Sequence, residues 1–313
     1  MIVTKMKLVP FFRRLRSFIS RPRLLVQHHP VIIDDDTLCC NPIFIAGIHR
    51  SGTSLVRRIF DSHSGIACPP ETYYLKHFAS MLNDPQTFAG LAGMGYDREA
   101  ALREIGKLAS RLHEAYRISK GKRRWADKTP QYLSMLDEIH LMFGGAERFI
   151  LIQRHPYDIA YSIFKRGWSF GQYAKDPLEN TALYVADMWH RMSAFEVAQP
   201  ELCHRIVYEE LIANPEAVLK GALAFLKEEW ESGILEFNSF PHNWGVEDPI
   251  VQGIGSFSLS YGNWTALSAR EITTIDSILS PLLKGTGYSS DPHCKYTSSA
   301  LGISKQEVLF RQA

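Results

Sequence analysis

The sequence lacks several features that would quickly assign it to a class. Its five cysteines form no C-x-x-C pair, and their odd number argues against a disulfide framework. No apolar run approaches the roughly 18–20 residues of a membrane-spanning helix. The histidines show no H-E-x-x-H or paired Cys/His spacing, so no metal site is predicted. Free thiols fit a reducing compartment, and we therefore expect a cytoplasmic protein.

The chain also has little net charge, but its charge is unevenly distributed. The formal total is +2, which argues against a nucleic-acid binder. Residues 1–30 nevertheless carry seven Lys and Arg and no acid, so the rest of the chain is mildly acidic. The basic segment can be interpreted as a frayed tail, as a surface segment contacting an anionic membrane or a partner, or as a transit peptide. We divide the chain into an arm (1–40), one catalytic domain (41–290) and a C-terminal tail (291–313).

Short apolar runs alternate with helical patterns through the body of the chain. Strands are predicted at 42–46, 125–129, 147–153 and 203–208, and helices at 53–61, 100–116, 132–143, 157–165, 181–198, 216–227 and 266–279. Segments 70–96 and 166–180 are interpreted as aromatic-rich loops. The alternation predicts an α/β fold, with a doubly wound, mostly parallel sheet and helices on both faces. Ligands bind such sheets at the carboxyl ends of the strands.

The most informative segment follows the first predicted strand and opens the first helix. It resembles the P-loop G-x-x-x-x-G-K-[ST], with Thr53 in place of the lysine, and it consists of Gly47, Ile48, His49, Arg50, Ser51, Gly52, Thr53 and Ser54. Two glycines let successive amides face one concavity, and the helix N-terminus adds positive potential. We therefore predict a P-loop NTPase-like sheet whose loop holds a phosphate. Because the nearest cation is Arg50 inside the loop, a different anion from that of an ATPase is expected.

A second phosphate site is predicted at the end of the strand over 147–153. Arg154 follows that strand, and Ser162 lies eight residues further on in the next helix. Charge-assisted hydrogen bonds from the arginine and a neutral one from the serine could together hold a phosphate.

These two segments resemble those of sulfotransferases that use 3′-phosphoadenosine-5′-phosphosulfate (PAPS). The family's 5′-phosphosulfate loop reads like H-R-S-G-T-S, and its 3′-phosphate motif resembles R-x-P-x-D-x-A-x-S, which spans Arg154 to Ser162 here. Two further elements resemble the family's: Y-E-E-L beginning at Tyr208, whose tyrosine would lie near the adenine, and the K-T-P segment beginning at Lys128. The resemblance covers residues 42 to 280. It implies a PAPS-dependent enzyme that releases 3′,5′-adenosine bisphosphate and requires no metal.

The resemblance also implies the roles of the catalytic groups. Arg50 with the loop amides would neutralise the departing phosphate, and Lys128 would stabilise the sulfuryl oxygens. A general base must take the proton of the acceptor hydroxyl or amine. The segment beginning P-P-E-T matches the region that supplies a glutamate base in carbohydrate and tyrosylprotein sulfotransferases, so we predict Glu71. His49 and His63 are weaker candidates.

Two departures separate the chain from the cytosolic small-molecule members. Pro130 stands where those enzymes have a histidine after K-T, and no R-K-G triplet precedes Gly262. Ser260 or Tyr261 is therefore predicted to donate hydrogen bonds to the 3′-phosphate, and residues 255–264 are interpreted as a lid or as a plain loop. The acceptor is left open among carbohydrate, phenol, lipid and tyrosyl peptide, and a homodimer is compatible with the sequence.

Two alternative functions follow from the same residues. A P-loop kinase or NTPase predicts a lysine at position 53 and a Mg²⁺-binding acid, and the sequence has Thr53 there. A nucleotide-binding scaffold without turnover would bind the nucleotide and transfer nothing.

Overall fold

The computed structural model of the chain describes residues 41–242, 245, 257 and 260–291. The predicted basic arm lies outside these residues, as does the predicted C-terminal tail apart from residue 291. The lid predicted at 255–264 is described only at 257 and 260–264.

The strands of the described residues form one parallel sheet. They are β1 (Ile43–Gly47), β2 (Ile66–Ala67), β3 (Arg124–Asp127), β4 (Arg148–Gln153) and β5 (Cys203–Val207). Their order is β2-β3-β1-β4-β5, and β1 is central: Ile43 pairs with Ala126 on one side and with Arg148 on the other. All five residues of β1 are buried, as expected for a parallel strand covered on both faces.

Helices follow most of these strands. They are α1 (Thr53–Asp61), α2 (Tyr74–Ser80), α3 (Pro85–Gly93), α4 (Arg98–Ser119), α5 (Leu136–Phe143), α6 (Pro156–Phe164), α7 (Pro177–Ala198), α8 (Tyr208–Ala213), α9 (Pro215–Leu226) and α10 (Ala269–Leu279). Several begin with proline behind a polar cap. The Asp176 carboxylate, for example, accepts hydrogen bonds from the first turn of α7, and the Asn214 side chain accepts one from Ala217 N in α9. Within the described ranges, no helix is both long enough and apolar enough to cross a bilayer.

The sheet separates two hydrophobic cores. Side chains alternate along β1, so Phe44 contributes to one core and Ile45 to the other. Helices α2, α4, α5, α6, α7 and α10 pack on the first face, and α1, α8 and α9 pack on the second. The predicted doubly wound sheet with helices on both faces is confirmed.

Most helix and strand predictions agree with the structure, but β2 and α8 were not predicted, and two predicted segments differ from what was expected. Segment 70–96 contains α2 and α3 and is therefore not a loop throughout. Helix α3 has no buried residue, so it shows no apolar periodicity that a sequence pattern could detect. The helix predicted from residue 132 begins as a 3₁₀ segment, Pro130–Met135, and becomes α-helical at Leu136.

Candidate functional site

The loop between β1 and α1 turns through two glycines that no other residue could replace without a clash. A Cβ on Gly47 would lie 2.7 Å from Ser51 Oγ. Gly52 caps α1 with φ of 101°, and a Cβ there would lie 2.7 Å from the ring of Tyr208. The loop therefore wraps closely around the N-terminus of α1, whose amide dipoles favour an anion. Thr53 is the first residue of the helix and is buried at the position of the P-loop lysine.

The second predicted motif meets this loop directly. Arg154 follows β4 and donates from Nη1 to the Arg50 carbonyl oxygen, 2.7 Å away. The Arg50 side chain reaches in the other direction, and its Nε donates to Ser162 Oγ on α6 at 3.1 Å. The two predicted phosphate sites are thus adjacent and joined by Arg50.

Arg154 also binds the 260–264 segment and one aromatic ring. Its Nη2 donates to the Ser260 carbonyl oxygen and to Ser260 Oγ, the latter at 3.1 Å. Its guanidinium carbon lies 4.8 Å from the centre of the Tyr208 ring. Tyr208 begins α8 at the end of β5, so the ring lies between Gly52 and Arg154. The structure therefore brings the predicted residues Arg154, Tyr208 and Ser260 together.

A second guanidinium, that of Arg166, also contacts Ser162 and was not predicted from the sequence. Arg166 Nη1 donates to Ser162 Oγ at 3.1 Å and to the Ser162 carbonyl oxygen at 3.2 Å. The guanidinium carbons of Arg50 and Arg166 each lie 5.7 Å from the centre of the Trp168 ring. Arg166 stands four residues after Ser162, and this spacing was the signal that could have identified it.

The aspartate of the second motif positions the backbone beyond Ser260. Asp158 is buried in the first turn of α6 and accepts hydrogen bonds from Gly262 N at 2.8 Å and Trp264 N at 3.3 Å. Asp158 matches the aspartate of the second motif, for which no role was predicted from the sequence. Its carboxylate fixes the segment that presents Ser260 to Arg154.

A buried glutamate supports the same region from behind. Glu209 follows Tyr208 and accepts hydrogen bonds from His155 N at 3.0 Å and from Tyr288 OH at 2.6 Å. Burial raises the pKa of Glu209 from 4.5 to about 7, although both hydrogen bonds and the Arg154 charge oppose this shift. Glu209 thus joins the start of α6 to the chain after α10.

The predicted catalytic pair Glu71 and Lys128 lies on the other side of the loop. Lys128 follows β3 and is fully buried, and its Nζ donates to Ser54 Oγ at 3.1 Å and to the Glu71 carboxylate. The Tyr73 hydroxyl also donates to Glu71. Burial, with the Glu71 carboxylate adding to it, raises the pKa of Tyr73 to about 12. A lysine, a glutamate and the first turn of α1 therefore meet at one point.

Neither histidine suits the role of base. Burial, assisted by the charges of Lys128, Lys76 and Arg50, lowers the pKa of His49 to about 3. Its Nδ1 lies 2.6 Å from Tyr184 OH, and its ring stacks on Phe170 with a centroid separation of 3.9 Å. His63 uses both ring nitrogens in structural hydrogen bonds, accepting from Gly65 N and donating to the Glu229 carbonyl oxygen.

Three buried polar atoms of this region have no hydrogen-bond partner within the described residues. They are His49 Nε2, Ser51 Oγ and Arg154 Nε. A buried polar atom without a partner costs about 1–3 kcal/mol, so such atoms are rare unless a ligand or water satisfies them. Their concentration around the loop fits a polar, anionic ligand.

Comparison with known proteins identifies the family. Residues 42–232 match the sequence model described as the sulfotransferase family, which is more than half of the chain. The chain belongs to the sulfotransferase family. The reaction of this family is the transfer of a sulfuryl group from PAPS. The predicted family and its P-loop-like α/β fold are confirmed.

Individual relatives within and around this family are distant. Protein-tyrosine sulfotransferase 1 of Danio rerio is 25% identical over 268 residues, which cover 80% of this chain and 72% of that protein. Nodulation protein NoeE of Sinorhizobium fredii is 26% identical over 209 residues, but the match spans only 58% of this chain and about half of NoeE, 49%. The sulfotransferase domain from the curacin biosynthetic pathway superposes with a TM-score of 0.57 at 22% identity, over 77% of this sulfotransferase and 97% of that chain. This last likeness concerns the fold.

Proposed function

We propose that this sulfotransferase transfers the sulfuryl group of PAPS to an acceptor hydroxyl, with Glu71 as the general base. The contact between Arg50 and Ser162 carries the proposal, because it joins the P-loop to the second phosphate motif at 3.1 Å. A nucleotide with phosphates on both its 5′ and 3′ oxygens matches two adjacent anion sites better than a linear triphosphate does. Position 53 is a threonine and not the lysine of an ordinary P-loop, which also disfavours a kinase or NTPase.

The nucleotide-binding role is divided between the two loops. The amides at the start of α1 and the Arg50 guanidinium would hold the 5′-phosphosulfate. Arg154, Ser162 and Arg166 would hold the 3′-phosphate, and Ser260 would orient Arg154 through the hydrogen bonds between them. Arg166 supplies the cation that the absent R-K-G triplet would otherwise provide.

The Tyr208 ring and two buried polar atoms without protein partners among the described residues, Ser51 Oγ and Arg154 Nε, support this assignment of the nucleotide site. The Tyr208 ring lies beside both Gly52 and Arg154, so it is placed to contact the adenine. Ser51 Oγ and Arg154 Nε would find hydrogen-bond acceptors in the two phosphates.

Bound PAPS supplies an activated sulfuryl group with the bisphosphate as its leaving group. Arg50 would stabilise the charge that develops on the leaving phosphate, and Lys128 would neutralise the sulfuryl oxygens. Glu71 would accept the proton of the acceptor hydroxyl. The ion pair between Lys128 and Glu71 would hold the proposed base beside the ammonium group that neutralises the sulfuryl oxygens.

The acceptor we propose to test first is the phenolic hydroxyl of a tyrosyl peptide. Protein-tyrosine sulfotransferase 1 of Danio rerio aligns with 80% of this chain, whereas the match to NoeE covers 58%. Two exposed aromatic side chains near the P-loop, Trp168 and Tyr173, would contact an aromatic acceptor. Carbohydrate, small phenol and lipid acceptors form the other arms of the same assay.

Isothermal titration with three nucleotides tests the binding part of the proposal. We expect 3′,5′-adenosine bisphosphate to bind at least about tenfold more tightly than AMP or ATP, since each charge-assisted hydrogen bond contributes about 1.5–3 kcal/mol. Arg154→Ala should abolish the preference over AMP, whereas Arg191→Ala, an exposed control on α7, should preserve it. Equal affinity of the wild-type protein for AMP and the bisphosphate would contradict the two-phosphate assignment.

A transfer assay with labelled PAPS tests the catalytic part. Glu71→Gln should lower kcat by about 10²-fold or more while leaving affinity for the bisphosphate unchanged, because the base acts on the acceptor. Glu216→Gln, an exposed glutamate on α9, is the matched control. Full turnover by Glu71→Gln would exclude Glu71 as the base.

A further inference from the structure

The residue after the proposed base is held by both neighbours of the proposed catalytic lysine. Thr72 Oγ1 donates to Asp127 Oδ2 at 2.6 Å, and Thr72 N donates to Thr129 Oγ1 at 3.0 Å. Thr129 Oγ1 in turn donates to Asp127 Oδ1 at 2.8 Å. We call Thr72, Asp127 and Thr129 the Thr72 clamp. In this clamp, Thr72 follows Glu71 and the other two residues flank Lys128, so the hydrogen bonds join the two chain segments that form the ion pair.

Donors and acceptors in the Thr72 clamp are matched without conflict. The carboxylate of Asp127 only accepts, so both threonine hydroxyls must donate to it. Thr72 Oγ1 is then left to accept from Tyr132 OH, 2.8 Å away, and Tyr132 OH accepts from Leu75 N at 3.1 Å. Each hydroxyl therefore donates once and accepts once, which defines a single arrangement.

The Thr72 clamp is also tied to the long helix α4. His113 Nε2 lies 3.0 Å from Asp127 Oδ2, and its Nδ1 lies 2.6 Å from Tyr74 OH. The contact with Asp127 is close but lacks hydrogen-bond geometry, and Nδ1 also lies 3.2 Å from the Ala109 carbonyl oxygen in α4. His113 and Asp127 are both buried. Helix α4 and β3 therefore form one support for the segment that carries Glu71.

The backbone around Glu71 is held by side chains, because Arg57 Nε donates to the carbonyl oxygens of Cys68 and Pro69, each at 3.2 Å, on the other side of Glu71. Residues 68–73 contain no helix or strand, and Tyr73 adopts a left-handed conformation with φ of 59°. The Glu71 carboxylate accepts hydrogen bonds from Lys128 and Tyr73, so these bonds and the anchoring of the adjacent backbone together orient it. Because Thr72 is the next residue, the direction of the Glu71 carboxylate depends on how Thr72 is anchored.

We propose that Thr72, through Asp127 and Thr129, is a positioning residue that holds the Glu71 carboxylate against Lys128 and toward the acceptor. The inference rests on the proposed function of Glu71. It predicts that loss of the Thr72 hydroxyl affects turnover and leaves nucleotide binding intact, because a base displaced by about 1 Å can cost 10²-fold in rate.

Paired substitutions of Thr72 test the role of its hydroxyl. Thr72→Val keeps the shape of the side chain and removes its donor and acceptor, and it should lower kcat about tenfold or more with less than about a twofold change in the dissociation constant of 3′,5′-adenosine bisphosphate. Thr72→Ser restores the hydroxyl and should recover turnover to within about threefold of wild type. Equal losses in both variants, or unchanged kcat in Thr72→Val, would overturn the proposal.

Thr181→Val is the control for simple destabilisation. Thr181 is buried in α7, and its hydroxyl donates to the Pro177 carbonyl oxygen at 2.8 Å. The same substitution there should lower the melting temperature by a similar amount and leave kcat unchanged. If Thr181→Val lowers kcat as much as Thr72→Val does, the effect is one of stability and the proposal is wrong.

A measurement independent of turnover separates the Thr72 clamp from the proposed function. Thr129→Val removes the acceptor of Thr72 N–H, so amide exchange of residues 71–75 should accelerate while that of the P-loop stays as in wild type. If Thr72→Val does not fold, Thr129→Val is the variant that tests the Thr72 clamp. Unchanged exchange over 71–75 would refute the clamp. Wild-type protein that transfers no sulfuryl group to any acceptor would instead refute the proposed function.

Discussion

Replacing Glu209 with glutamine tests how much the buried carboxylate behind the nucleotide loops costs the folded protein. The carboxylate is 1% exposed and accepts hydrogen bonds from His155 N and Tyr288 OH. A glutamine fits the same space, because its oxygen can accept from the amide and its NH₂ group can donate to the tyrosine oxygen. The substitution therefore removes the charge and keeps both contacts.

The magnitude follows from the pKa of the group. Burial raises the pKa of Glu209 from 4.5 to about 7, so the folded protein binds this proton more tightly than the unfolded chain does. The stability that the folded protein gains from binding this proton is fully present below pH 4.5 and is lost as the pH rises through about 7. At about 1.4 kcal/mol per pKa unit, the total change is about 3 kcal/mol.

Urea unfolding followed at several pH values between 4.5 and 8 measures this contribution. We expect Glu209→Gln to gain stability relative to wild type as the pH rises, with the difference growing by about 3 kcal/mol across the range. Glu216→Gln removes an exposed carboxylate with no burial cost to relieve, and it is the control. A stability difference between Glu209→Gln and wild type that does not change with pH would refute the reasoning.

Three further substitutions test the nucleotide site. Arg166→Ala should weaken binding of 3′,5′-adenosine bisphosphate about tenfold and leave AMP affinity unchanged in calorimetry, since it removes one charge-assisted donor; an equal loss for AMP would contradict this role. Gly52→Ala should destabilise the protein by about 2 kcal/mol or more in urea unfolding, because φ is 101° and the new Cβ would meet the Tyr208 ring; wild-type stability would disprove the steric argument. Asp158→Asn should cost about 1–3 kcal/mol and weaken bisphosphate binding, because one amide oxygen cannot hold both amides that position the Ser260 segment; unchanged affinity would separate that segment from the nucleotide.

The local elements of the fold could be predicted from sequence. The helix predicted at 53–61 is α1, because a glycine turn after a buried strand and an apolar stripe are properties of neighbouring residues. The two phosphate motifs were identified for the same reason, since their spacing is fixed by one strand, one turn and one helix each. Helix α3 could not be predicted, because none of its residues is buried and its Leu91 is only partly buried against the first core.

The partners of the candidate residues could not be predicted from spacing. Arg154 and Ser162 were predicted to hold one phosphate, but their protein partners were not predicted: Arg154 contacts Ser260 and the Arg50 backbone, and the Ser162 hydroxyl is shared by Arg50 and Arg166. These contacts connect residues of different loops. Their distances depend on side-chain rotamers that the motif does not encode.

The sequence by itself determined the candidate residues: a P-loop without its lysine, a second predicted anion motif beginning at Arg154, and the candidate pair Glu71 and Lys128. Only the tertiary structure decided which of them touch. Lys128 lies 57 positions after Glu71, and the two meet because β2 and β3, which precede them, are adjacent parallel strands with their carboxyl ends at one edge of the sheet. Strand order is a property of the packed cores on both faces, so no local pattern could have specified it.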